Sequence, residues 1–163
     1  MIRTRAALTA LAQGAALVGG ALLLAAAVLT CVSVTRGAFG RPILGDTEIV
    51  ELCMGVAVAL FLPWAEMRGA HVMVDVFTAR MAPRPLAWLD ALMRAAVALV
   101  ATVLAVKIAD GAYAQWDRER ASMFLELPYW WGYAGAAVGL ALWTVTACFV
   151  AAERFAEARR AGA

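Results

Sequence analysis

Two stretches of this chain contain no Asp, Glu, Lys or Arg at all: residues 6–35 and residues 127–152. Each is longer than the roughly 20 residues an α-helix needs to cross about 30 Å of hydrocarbon. Two further apolar stretches lie between them, and charge is confined to the gaps. A soluble chain would set a charged face on nearly every surface helix, so the bilayer is the solvent of this protein. Composition agrees: 64% of the 163 residues are hydrophobic and 16% charged, against about 45–50% and about 25% in soluble domains. The fold class expected is all-α, an integral membrane bundle of four transmembrane helices at about 11–34, 47–67, 86–108 and 128–152. Little chain remains, so residues 1–163 read as a single membrane domain.

The first span follows Arg3 and Arg5, as a signal peptide would, but its apolar run is about twice the 7–15 residues of a signal core. It reads as an uncleaved helix. The second span has only residues 52–65 between Glu51 and Glu66, about 21 Å of helix, and must reach back through Glu51 and Glu48 to a cap at Asp46 or Thr47. Acidic residues there complement the helix dipole. Pro63 should bend its last turn. The loop 68–85 is basic, and its apolar centre, 72–79, suits an interfacial segment. In the third span Asp90 and Arg94 stand one turn apart, spaced to pair. Small residues recur in the first span, and the last carries Gly135 and Gly139 as a G-x-x-x-G pair for close helix packing.

Tyr129, Trp130, Trp131 and Tyr133, with Trp116, mark one membrane interface; Trp64 and Trp88 mark the other. Of the fourteen basic residues, nine fall on the side of the termini and the loop 68–85. That count puts both termini in the cytoplasm. A net charge of +2 without a basic cluster argues against a nucleic-acid partner.

Few residues promise chemistry. His71, the single histidine, lies in a loop and cannot supply the paired axial ligands of a membrane haem; it reads as a structural residue capping the second span or bonding Asp75. Cys31, Cys53 and Cys148 form no reactive pair, which weakens a four-helix redox protein. Glu48, Glu51 and Glu66 raise the idea of an ion relay. All three lie near helix ends, where carboxylates stay hydrated, and no charge stands at mid-span. There is no internal repeat of the kind a self-contained transporter shows. A small transporter working as a homo-oligomer is the alternative reading.

Residues 46–51, Asp-Thr-Glu-Ile-Val-Glu, precede an apolar helix and then residues 68–75, Arg-Gly-Ala-His-Val-Met-Val-Asp. This pattern resembles the small membrane subunit, DctQ-like, of tripartite ATP-independent periplasmic (TRAP) transporters. Leu127-Pro128-Tyr129-Trp130 before a glycine-rich last span is similar to that family too. The resemblance implies an accessory, non-enzymatic subunit in a bacterial inner membrane. Its partners would be a large membrane subunit that moves an organic acid and a periplasmic substrate-binding protein. It also implies symport coupled to sodium, with no cofactor, metal or ion site in this chain. Glu48, Glu51, Arg68, His71, Asp75, Gly135 and Gly139 become the candidates for structural or partner contacts, with Arg68, His71 and Asp75 fixing the loop 68–85 against the large subunit.

Overall fold

A computed structural model describes residues 2–41, 43–69 and 83–160. Four helices account for most of it: α1 (Ile2–Ala38), α2 (Asp46–Arg68), α3 (Pro83–Asp117) and α4 (Trp130–Arg160). All four are long and apolar enough to cross a membrane. His71, Asp75 and the interfacial segment expected at 72–79 lie outside the described residues.

The helices outlast the apolar runs. α1, α3 and α4 span 37, 35 and 31 residues, each longer than about 45 Å at 1.5 Å per residue. Hydropathy shows where lipid ends, whereas backbone hydrogen bonding continues into the headgroups and water. α3 therefore runs past its last apolar stretch through Lys107 and Asp110 to Asp117.

α2 begins where its length requires, but neither Asp46 nor Thr47 is its cap. Gly45 holds that position with φ of 82° and no side-chain cap bond, while the Asp46 carboxylate accepts the adjacent Thr47 N–H at 2.8 Å. A left-handed residue is required there, and a Cβ on Gly45 would also strike Leu125 at 2.6 Å. At the other end Gly69, φ 65°, closes the helix with its N–H on the Ala65 and Glu66 carbonyls.

The bundle is open. α2 packs between α1 and α4, and α4 packs between α2 and α3, while α1 barely touches α4. α2 and α4 run parallel: Gly132 meets Leu52, Gly135 meets Val56 and Gly139 meets Ala59 in ascending order. At Gly139 the backbones approach so closely that a Cβ would fall 2.7 Å from the Ala59 carbonyl carbon. Pro63 contributes to this contact, because its missing N–H leaves the Ala59 carbonyl without a helical donor. The two glycines of the G-x-x-x-G pair thus pack inside the chain, against α2. The core continues across Ala98 and Ala101 of α3 and Leu140, Trp143 and Ala147 of α4, the alanines leaving room for the tryptophan. A second cluster joins Ala12, Met67 and Val150. The start of α1 and the end of α4 lie at one end of the bundle, where Arg5 of α1 pairs with Glu153 of α4 at 3.0 Å.

Candidate functional site

Polar side chains gather at the two ends of the bundle, in different ways. The end that holds the start of α1 and the end of α4 contains a buried ion network. Glu66, in the last turns of α2, is 1% exposed. Its carboxylate accepts the Arg94 Nη1 of α3 at 3.2 Å and the Trp143 indole N–H of α4 at 3.3 Å. Arg94 Nε lies 3.6 Å from Asp90 Oδ1, one turn back on α3. The other Asp90 oxygen pairs with Arg154 Nε of α4 at 3.3 Å, and Arg154 reaches Glu157 at 3.0 Å. Signs alternate from Glu66 to Glu157, so each buried charge has an opposite neighbour. Asp90 Oδ1 is buried without a hydrogen bond, held by the Arg94 charge alone.

Desolvating such groups costs several kcal/mol per ion, and pairing them mainly recovers that cost. In the observed register the network joins α2, α3 and α4 through one alternating series of charges. The Asp90–Arg94 pairing matches the sequence expectation. Glu66 corrects it, because this carboxylate is enclosed between helices rather than hydrated at an interface.

At the opposite end Glu48 works through backbone groups. Its Oε1 accepts the N–H of Met123 at 2.9 Å and of Phe124 at 3.0 Å, and its Oε2 accepts the N–H of Leu125 at 3.1 Å. Successive amides converging on one carboxylate form an anion nest. The same loop closes on itself. Ser122 N–H donates to the Leu127 carbonyl at 2.9 Å, Leu127 N–H to Ser122 Oγ at 3.1 Å, and Tyr129 N–H to the Arg120 carbonyl at 3.1 Å. Glu119 and Glu126 take positive φ to turn the chain there. The α3–α4 loop is thereby tied to the start of α2.

The remaining sequence candidates do not join either cluster. Glu51 is exposed, at the mouth of an open groove of about 670 Å³ between α2, α3 and α4. Val58, Leu62, Ile108 and Leu140 line that groove further along the helices. The Arg68 guanidinium lies 4.6 Å from the Trp64 ring centre, a cation–π contact at the surface. Gly135 and Gly139 serve the α2–α4 contact. Among the described residues no group of three His, Cys, Asp or Glu side chains could hold a metal.

The charges inside the bundle are paired with one another. The family described as tripartite ATP-independent periplasmic transporters, DctQ component, matches residues 25–160. The chain belongs to the DctQ family. It is a transporter component and not an enzyme. No curated protein and no solved structure matches it. The network that orders this DctQ chain was only half visible in its sequence: Asp90 and Arg94 are neighbours on one helix, whereas Glu66 and Trp143 come from others. An acidic residue ending one span and a tryptophan inside another are the signals that could have suggested it.

Proposed function

We propose that this DctQ chain is the accessory scaffold of a TRAP carrier in the bacterial inner membrane. In this reading a large membrane subunit moves an organic acid with an ion gradient, sodium being the coupling ion, and a periplasmic protein delivers the substrate. The observation that carries the reading is the Glu66–Arg94–Asp90–Arg154 chain. The cations that would attract an organic anion inside the bundle are already held by carboxylates of this chain. The groove between α2, α3 and α4 is lined mainly by apolar side chains, with Glu51, Gln115 and Arg120 at its loop end. Both termini face the cytoplasm, as the arginine distribution favours. The loop 68–85, with Arg68, His71 and Asp75, then meets the large subunit on that side.

Co-expression with the large membrane subunit and purification through a tag on this chain test the proposal. A stable complex in mild detergent is expected; a chain that purifies only with copies of itself would instead favour the homo-oligomeric transporter. Reporter fusions after Arg160 and within the α3–α4 loop should give opposite signals, cytoplasmic for the first. A periplasmic signal after Arg160 would reverse the orientation.

A further inference from the structure

The outer face of α3 carries charge where lipid alone would leave it unsatisfied. α3 turns Ala91, Arg94, Ala98 and Ala101 inward, a spacing that defines one helical stripe. The opposite side exposes Leu92, Leu99, Val103 and Val106, as a lipid-facing stripe should. It then continues into Lys107 and Asp110, whose side chains are 74% and 69% exposed and whose charged atoms are 4.0 Å apart, the loose limit of an ion pair.

The depth of this pair follows from the register of α3 against α4. Asp90 meets Arg154, Trp88 packs on Phe155, and Gly111 lies against the Tyr133 ring. Lys107 is thereby level with Ala137. That is about seven residues, or about 10 Å, further from the loop end than Trp130. Tyr113, Trp116, Trp130 and Trp131 are all exposed on the loop side of Lys107, and such aromatic side chains settle at the headgroups. Lys107 therefore sits on the hydrocarbon side of the aromatic belt. Its Cα–Cβ bond tilts toward the N-terminus of α3, away from the nearer interface, so turning back to water works against the geometry. A charge at that depth is costly unless a neighbouring group answers it, and Asp110 answers Lys107 only at the 4.0 Å limit of an ion pair.

We propose that the outer face of α3, residues 92–110, is the seam on which the large membrane subunit docks. The occupant is an apolar helix that presents a carboxylate opposite Lys107 and a hydrogen-bond donor to Asp110. The inference rests on the scaffold reading above and adds the face and its chemistry. α1 is the contrasting surface. It also exposes a long apolar side, with open space around Gly14 and Gly20, but it has no charged residue between Arg5 and Arg36, so lipid satisfies it fully.

The test uses the complex of this full chain with the large subunit. A photo-crosslinking amino acid replaces Val103 on α3 or Leu17 on α1, and the mass of the adduct is read after irradiation of membranes. Crosslinking to the large subunit from position 103 and not from 17 is expected. Lys107→Glu should lower the large subunit recovered at least tenfold, and Lys107→Arg should leave it near the parent level. Adducts from position 17 alone, adducts of position 103 with lipid alone, or adducts at twice the mass of this chain would each overturn the seam while the complex itself stands. Full recovery with Lys107→Glu would overturn the charged contact. If the parent chain forms no complex, the scaffold reading falls, and the seam with it.

Discussion

The two ends of this bundle each place a glutamate of α2 at a junction, and they use it in opposite ways. Glu66 is enclosed, and answers the guanidinium of Arg94 and the indole of Trp143 from two other helices. Glu48 is at the surface, and answers three consecutive backbone amides of one loop. The first arrangement is all or nothing, because an unpartnered charge between helices has no water to turn to. The second is local, because water can replace the carboxylate if it is lost. The same side chain on the same helix thus fixes helix register at one end and loop conformation at the other.

The largest effect should follow removal of one partner from the enclosed end. Arg94→Leu removes the cation that Glu66 and Asp90 share and should cost about 3–5 kcal/mol, read as an early thermal transition of the purified chain by tryptophan fluorescence. Replacing Glu66 and Arg94 together by leucine should cost clearly less than Arg94→Leu alone, since only Asp90 then loses a cation and it keeps Arg154. Equal losses in the single and double variants would show that the network does not act as a unit. The smallest effect on global stability belongs to Glu48→Ala. It should leave the thermal transition nearly unchanged while hydrogen exchange at Met123, Phe124 and Leu125 accelerates. A Glu48→Ala chain as unstable as Arg94→Leu would erase the distinction between the two ends.

This contrast also marks what could be read from sequence. The four spans were legible because lipid imposes one rule, apolarity over a fixed length, that a single chain displays openly. The Asp90–Arg94 pair was legible because helical spacing is local. The G-x-x-x-G pair announced a close contact, but the identity of its partner, α2, depends on the packing of whole helices. Glu66 looked like an interfacial carboxylate because its position near a helix end says nothing of what another helix brings against it. The partners of Glu48 are backbone amides, which every residue carries and no composition reveals. α3 extended beyond the expected span because its apolar run stops at Lys107 although its hydrogen-bond ladder does not.

In its proposed role this DctQ chain holds a transporter together without moving substrate itself. Uptake of a radiolabelled organic acid into liposomes tests it, with this chain alone, with the large subunit alone, and with both, each supplied with the periplasmic protein and a sodium gradient. No uptake above empty liposomes is expected from this chain alone, and gradient-driven uptake is expected when both membrane subunits are present. Gradient-driven uptake by this chain without the large subunit would contradict it.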